Sequence, residues 1–406
     1  MISTFSCQKR SMDLEKLLQK DIQDFIHGHI SVDIKSLSLK KLPFAGTLRA
    51  QILQQIHARQ KAQHKLVKWA TRKEIIFPNP DLVEQASSDA TAAYKASLFP
   101  QGNIFLDLSA GMGSDFLALS EKFTSGYCVE ADPAHAQLLE YNLKVLSDKN
   151  VIIINDYAEN FTKTMPDADL VYIDPQRRNE TGKRGIYDLS QTRPNILELL
   201  PVLRQKSSQI LIKTSPFLDI TEALLQLGGA AEVHVLESQG QCKEVLYLIK
   251  SGDNTPDTVI TAANCDTGQK IHYEYRPGTD IKPGSSAPLT YLYEPSPALM
   301  KSGLHSRVAT DMGLKKLADM THLYTSEALQ HAFMGRKFLI LSVLPVKKQA
   351  ASDALPDRQA NITTRNFPMK PEDLRKKLGL KDGGDHTLFG CTLQNGDKRL
   401  ILCKSA

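Results

Sequence analysis

Residues 104–123 read IFLDLSAGMGSDFLALSEKF. An apolar run, IFLDL (104–108), meets a turn, SAGMGSD, and passes at once into the helical pattern FLALSEKF. A short apolar run closed by a turn is a buried strand, and strand–turn–helix is the opening unit of an open α/β sheet. Gly111 and Gly113 have no side chain, so backbone and ligand can approach closely there. The N–H groups that start the following helix, near Ser114, favour a negative group. Asp107 stands on the strand itself, where a carboxylate is costly unless it binds something. The spacing is not GxGxxG, so the dinucleotide fingerprint is absent.

Working toward the C-terminus, GYCVEAD (126–132), VIIIND (151–156), ADLVYIDP (168–175) and QILIKTSP (209–216) repeat the strand pattern. HAQLLEYNLKVL (135–146), RPNILELLPVLRQ (193–205), with Pro194 in its first turn, and ITEALLQL (220–227) read as helices between them. AEVHVLES (231–238) and KEVLYLIK (243–250) close the region as a hairpin pair. Strands alternating with helices imply right-handed crossovers and a parallel sheet covered on both faces. The fold class expected is therefore α/β, Rossmann-like, with seven strands and an antiparallel edge.

Working toward the N-terminus, residues 1–95 read as helical. LRAQILQQIHARQKAQHKLVK (48–68) lacks Gly and Pro, FPNP (77–80) interrupts, and Asp81 opens a second helix, DLVEQASSDATAAYKASLF. Beyond 251 come short strands, a linker PGTDIKPGSSAP (277–288) and a mixed α+β tail. FLILSVLPV (338–346) is a strong strand, KPEDLRKKLGL (370–380) a basic helix, and HTLFGCTL and RLILC a terminal strand pair. The division expected is 1–95 helical, 96–252 α/β, 253–325 small α+β and 326–406 a second small α+β segment.

At 406 residues, with 41% hydrophobic and 23% charged residues, the chain is globular and too long for one ordinary domain. No apolar run reaches the roughly 20 residues that cross a bilayer, and the first residues lack a secretory core. Six cysteines without CxxC spacing indicate neither a zinc site nor a disulfide framework, so a cytoplasmic location is expected. Residues 1–75 carry 14 Lys and Arg against 6 Asp and Glu, and residues 326–406 carry 14 against 8. With a net charge of +5 for the whole chain, the middle is left at −9. Basic ends around an acidic middle suit a polyanion, nucleic acid first, or are simply solvated helix faces.

Several acids cluster at the predicted strand ends. Glu130 ends the second strand about 20 positions after the glycines, placed to accept the hydroxyl protons of a ribose. Asp132 suits the N-cap of the next helix. Asp156 ends the third strand, either accepting from an adenine amino group or merely starting a loop. DADLVYIDPQRR (167–178) runs a buried strand straight into Asp174 and Pro175 at the sheet edge; proline fixes the backbone there and leaves no N–H unsatisfied. Gln176, Arg177 and Arg178 then face whatever enters. The two arginines neutralise a phosphate or pair with acids of the middle region. Lys213, Ser215 and Pro216 end the fifth strand on the same crevice and are candidates for the substrate side.

EQASS (84–88) admits two readings: the wet face of a helix, or a lid from which Gln85 and Ser88 reach the ligand. His135, His234 and His272 lack metal-ligand spacing, and no metal is expected. Trp69 and Phe77 are read as core anchors rather than base-stacking rings.

These residues resemble a class I S-adenosylmethionine-dependent methyltransferase over roughly 102–250. The resemblance implies that Asp107, Ala110, Gly111 and Gly113 hold the methionine part of the cofactor, Glu130 the ribose and Asp156 the adenine. Asp174-Pro175-Gln176-Arg177 is similar to the [DN]-P-P-[YFW] signature of methyltransferases acting on exocyclic amino groups, which implies catalytic roles for Asp174, Pro175 and Gln176 and a base nitrogen as the target. It departs by lacking the second proline and the aromatic ring. Asp-Pro followed by Arg also occurs in carbon-5 uracil methyltransferases of RNA, but no cysteine nucleophile stands nearby.

More narrowly, the whole layout resembles a bacterial family of uncharacterised methyltransferases with a helical N-terminus, a ferredoxin-like segment and a C-terminal THUMP-like domain. EQASSDATAAYKA (84–96), DPQRR (174–178), KTSP (213–216), YEPSPALMKSGL (293–304) and RNFPMKPEDLRKKLGLKDGGD (365–385) carry that likeness. It implies a structured RNA partner, tRNA or rRNA. The rival readings are an NAD-dependent oxidoreductase, against which the glycine spacing and Asp174-Pro175 argue, and a non-catalytic RNA-binding protein with a decayed core.

Overall fold

A computed structural model describes residues 13–177, 188–252, 257–275 and 281–406. The expected α/β architecture is present. Parallel strands β1 (Gly102–Asp107), β2 (Phe123–Val129), β3 (Asn150–Ile154), β4 (Ala168–Ile173) and β5 (Ser207–Thr214) alternate with helices. The hairpin is β6 (Glu232–Ser238) and β7 (Gln241–Lys250), with β7 antiparallel to β5. The strand count departs from seven. β8 (Thr258–Asn264) and β9 (Lys270–Tyr275) extend the same sheet, whose order is β9-β8-β6-β7-β5-β4-β1-β2-β3. The physical reason is β6: its backbone would otherwise be an open edge, and β8 supplies the partner.

The chain forms two compact units, Met1–Glu232 with Val245–Pro256, and Val233–Glu244 with Asp257–Ala406. In the first, the strand order turns back on itself between β4 and β1, so the crevice of the sheet opens above their carboxyl ends. Phe105, Leu106, Val171, Ile173, Ile210 and Ile212 are fully buried, as strands covered on both faces require.

The N-terminal helices pack on this sheet unit through a core of Leu17, Ile22, Ile26, Leu37, Ile52, Ile56, Ile76 and Leu138. Polar clamps fix the extended segment between them. Asn142 pairs with both the N–H and the carbonyl of Ile76 (3.1 and 2.8 Å), and Gln55 does the same for Phe77 (2.8 and 2.6 Å). Trp69 and Phe77 are buried, in agreement with the core reading, and the Arg59 guanidinium lies 5.3 Å from the Phe77 ring centroid.

Two helix boundaries differ from the sequence reading. The single helix expected after FPNP is two, Pro80–Gln85 and Asp89–Ser97, because Ser88 caps the second by accepting the N–H of Thr91. Pro194 lies before the helix Ile196–Lys206 rather than in its first turn, since Asn195 is the cap and accepts the N–H of Leu197.

The second unit carries its own seven-stranded sheet. Its strands are β10 (Tyr291–Pro295), β11 (Lys315–Ala318), β12 (Thr321–Ser326), β13 (Gly335–Pro345), β14 (Asn361–Arg365), β15 (His386–Thr392) and β16 (Lys398–Ser405), in the order β11-β12-β10-β13-β16-β15-β14. The expected terminal pair is β15 and β16, antiparallel. The basic helix is Pro371–Leu378, stopped by Gly379 in the left-handed conformation. Leu374 and Leu378 bury its apolar side against Ala351, Leu388 and Leu400, leaving Lys376 and Lys377 exposed.

Candidate active site

Parallel strands in register bring their last residues to one edge: Asp107 pairs with Cys128 on β2 and with Tyr172 on β4, and Ile173 pairs with Ile212 on β5. Asp107 and Asp174 thereby come within electrostatic reach of each other, and Glu130 reaches the turn after β1. Asp107 is buried, and its Oδ1 accepts the N–H of Ser109 at 2.9 Å. Burial pushes its carboxyl up to about 8; the Ser109 N–H opposes this, and the neighbouring charges of Asp115 and Asp174 add to it.

The turn after β1 is built for close approach. Gly111 (φ +55°) and Gly113 (φ +88°) are both left-handed. A Cβ on Gly113 would lie 2.5 Å from Leu139 Cδ1, so that glycine serves packing. A Cβ on Gly111 would meet nothing nearer than the Ser109 carbonyl at 3.9 Å, so its surface stands open. Glu130 faces this turn from the end of β2. Its half-buried carboxylate takes the N–H of Asp132 (2.9 Å) and that of Gly111, while burial as the largest influence raises its affinity for a proton. Asp132 is the N-cap expected, accepting from Ala134 and His135.

Asp156 is half-buried beyond the end of β3, and its Oδ1 accepts the N–H of Tyr157 (2.7 Å) and the Asn160 side chain (3.0 Å). Both contacts are local. Neighbouring Asn155 ties this loop to the Glu130 carbonyl at 2.8 Å.

Asp174 follows β4, and its N–H donates to the Ser109 hydroxyl oxygen at 2.6 Å. Pro175 and the exposed Gln176 come next, and Gln176–Arg177 pairs with Thr192–Arg193 in a two-residue antiparallel ladder that stiffens the exit from β4. Only the backbone of Arg177 falls within the described part, and Arg178 lies outside the described residues.

Lys213 differs from its expectation. It is buried rather than turned to the substrate side, with Nζ 2.6 Å from Asp174 Oδ2, 3.3 Å from Ser87 Oγ and 3.7 Å from Asp115 Oδ2. Ser215 is half-buried, and its Oγ accepts the N–H of Phe217 at 3.4 Å.

EQASS follows neither of its two readings as a whole. Glu84 is exposed and ion-pairs with Lys61, and Gln85 is exposed at the end of its helix. Ser88 is a helix cap, so its hydroxyl is engaged locally. Ser87 instead points inward, donating to Asp115 at 2.7 Å and accepting from Lys95 at 3.0 Å.

Asp115, Lys95 and Tyr172 are the residues that reading the sequence missed. Asp115 Oδ1 lies 3.0 Å from the fully buried Lys95 Nζ, and its Oδ2 accepts the Tyr172 hydroxyl at 2.6 Å. Burial is the largest influence on this carboxylate and acts upward. Lys95 and Lys213, with the Tyr172 and Ser87 hydroxyls, outweigh it and hold the group ionised below the usual carboxylate range. The available signal was a charge inside each of two short, otherwise small or apolar helical patterns, AAYKAS and GSDFLAL.

His135 lines a mainly apolar hollow with Pro78, Leu82, Gly111 and Leu138. Among the described residues, no group of three or more His, Cys, Asp or Glu is placed to hold a metal ion, and no helix is long and apolar enough to cross a membrane.

Comparison with known proteins gives a layout for the whole chain. Residues 61–197 match the family described as conserved hypothetical protein 95, residues 291–333 a ferredoxin-like domain and residues 335–405 a THUMP domain-like family. A provisionally assigned methyltransferase from Porphyromonas gingivalis W83 is 29% identical, with 98% of this chain and 100% of that chain covered at a TM-score of 0.84. Two further structures each cover about two fifths of the chain. M. capricolum TrmK, solved with S-adenosyl-homocysteine, is 14% identical over 41% of this chain and 70% of that one, at a TM-score of 0.32. An rRNA methylase from Streptococcus thermophilus is 14% identical over 40% and 94%, at 0.31. No curated protein matches the chain. The arrangement of a methyltransferase-like α/β region followed by ferredoxin-like and THUMP-like domains is thus the one the sequence resembles.

Proposed function

We propose that the chain is an S-adenosylmethionine-dependent methyltransferase, with residues 96–252 as its catalytic part and a structured RNA, tRNA or rRNA, as its acceptor. The observation that carries this reading is the convergence of Asp107, the open backbone of Gly111, Glu130 and Asp174 on one edge of the sheet. The residues fit the cofactor. A buried acid of raised proton affinity suits a cationic amino acid moiety, an uncrowded glycine suits close approach, and a half-buried carboxylate beside the glycine turn suits a diol. When bound, the cofactor would supply an activated methyl group.

The chain's own residues do the rest. Asp107, Ala110 and Gly111 hold the amino acid end, with Gly113 shaping the turn by its packing, Glu130 the ribose hydroxyls and Asp156 the adenine amino group. Asp174 accepts a hydrogen bond from an N–H of the acceptor base, aiming the nitrogen lone pair and taking up its proton through water. Pro175 fixes the backbone and Gln176 reads the base edge. Ser215 lies on the RNA side, and Arg177 and Arg178 keep the phosphate role expected from the sequence.

The aromatic ring missing after Asp174-Pro175 has a substitute at the end of β5. Phe217 is 78% exposed, while the next residue, Leu218, is buried and fixes the turn. An exposed ring beside the crevice suits stacking on a base. The exposed lysines of Pro371–Leu378, in the THUMP-like region, suit a phosphate backbone. The described cysteines form no disulfide, which suits work in the cytoplasm.

The test has two arms. Calorimetric titration with S-adenosylhomocysteine, and with NAD(H) as control, is expected to give binding to the first alone. Transfer of labelled methyl to total cellular RNA is expected for the wild type and is lost in Asp174→Ala. Binding without transfer to any RNA would favour the non-catalytic reading.

A further inference from the structure

A buried polar cluster of the first unit lies under the candidate site rather than in it. Asp115 is held at both oxygens: Lys95 Nζ at Oδ1, and the Ser87 hydroxyl, the Tyr172 hydroxyl and, further off, Lys213 Nζ at Oδ2. Lys213 in turn reaches Asp174 Oδ2 at 2.6 Å. Two lysines and two aspartates thus balance in charge. Ser87, Lys95, Asp115 and Tyr172 are buried, whereas the Asp174 side chain keeps 31% of its surface exposed. The chain of contacts runs outward, from a dry anchor to one carboxylate that reaches the crevice.

We infer that Lys213 is the positioning residue for Asp174, and that Asp115, itself fixed by Lys95, Ser87 and Tyr172, is the anchor that keeps the Lys213 ammonium in place. This rests on the reading of Asp174 as the carboxylate that meets the acceptor. Geometry supports the direction of the device. Lys213 and the Ser109 hydroxyl hold the Asp174 side chain and backbone respectively, so neither the carboxylate plane nor its approach is left to solvent. With Lys213 at Oδ2, Oδ1 is the Asp174 oxygen that this arrangement assigns to an acceptor N–H.

A second consequence concerns the N-terminal helices. Ser87 and Lys95 come from the short segment preceding β1, and Lys95 sits on Asp89–Ser97. That helix therefore completes the positioning device, although none of its contacts with the cluster touches the crevice directly.

The experiment uses the full-length protein, S-adenosylmethionine as methyl donor and total cellular RNA as acceptor, with Lys213→Met, Lys213→Arg and Tyr172→Phe beside the wild type. If the wild type transfers no methyl, the proposed function fails before this inference is reached. If it does, Lys213→Met is expected to lower kcat by about 100-fold, the scale of a misplaced reacting group, with cofactor Kd changed by less than about 3-fold.

A purely structural lesion would lower kcat and cofactor affinity together, whereas a misplaced Asp174 lowers kcat with cofactor affinity kept. Lys213→Arg, which restores a cation, is expected to recover part of kcat. Tyr172→Phe keeps the ring in its core position and removes one donor to Asp115. It is the variant to rely on if Lys213→Met does not fold, and a smaller kcat loss with cofactor Kd unchanged is expected. Unchanged kcat in a folded Lys213→Met, or an equal loss of kcat and cofactor affinity, would overturn the inference. With that variant unavailable, the same result in Tyr172→Phe would overturn it.

Discussion

The backbone N–H of Asp174 donates to the hydroxyl oxygen of Ser109 at 2.6 Å, although the two residues stand 65 positions apart. Ser109 also donates its own N–H to Asp107. One serine thus ties the turn after β1 to the exit of β4, joining the two flanks of the candidate site.

Replacing Ser109 with Ala leaves the Asp174 N–H without that acceptor, at a cost of about 1–3 kcal/mol for an unmade buried hydrogen bond. Urea unfolding is expected to register this loss, and kcat is expected to fall more than cofactor affinity does. Equal loss in both would place Ser109 with the cofactor alone.

Asp107 sets a pH dependence. Its proton affinity is raised by burial to about 8, against 3.8 for an ordinary aspartate. Between those values the native state holds a proton that the unfolded chain has released, so this group's contribution to stability declines as pH rises from about 4 to about 8. Asp107→Asn is expected to flatten that part of the stability–pH curve. Where the cofactor's ammonium binds beside it, the carboxyl should ionise. Calorimetry near pH 7 in buffers of different ionisation heat would then detect proton release on binding, and equal heats in all buffers would count against it.

The Asp115–Lys95 pair is a stability element as well as a positioning one. Lys95→Met removes the cation and leaves a buried carboxylate short of a partner, which is expected to cost roughly 3–5 kcal/mol. The readout is the denaturation midpoint at neutral pH, and a loss below about 1 kcal/mol would mean that water or Lys213 compensates fully.

Phe217 is exposed, so truncating it costs the fold little. Phe217→Ala is expected to raise KM for RNA by about 5- to 100-fold, the scale of one lost base stack of about 1–3 kcal/mol, with cofactor affinity unchanged. An unchanged KM would assign base stacking to another residue.

RNA binding by the basic ends is expected to weaken steeply between about 50 and 200 mM salt. Lys376→Glu with Lys377→Glu, on the exposed side of Pro371–Leu378, is expected to reduce both affinity and the salt slope in filter-binding measurements. A double variant with unchanged slope would remove that helix from the footprint.

The fold class was legible because it depends on local pattern. Buried parallel strands are short apolar runs, crossovers are helices, and glycine turns mark the handover. Asp107, Glu130, Asp156 and Asp174 were identifiable for the same reason, since each sits at the end of such a run. The nine-strand count was not legible, because whether β8 joins β6 is a question of which edge is left open. The break at Ser88 was a local signal overlooked: a serine followed by aspartate and helix formers caps a new helix rather than continuing the old one.

What the sequence determined by itself, then, is the order of strands and the identity of the acids at their ends, because both follow from residue-to-residue periodicity. What only the tertiary structure decided is the state of those acids. Lys213 reads as a residue facing substrate until register places it against Asp174, and Lys95 and Asp115 carry no motif at all until two helices set their charges 3.0 Å apart in a dry interior. Electrostatic strength depends on distance and solvent exclusion, and neither is written along the chain.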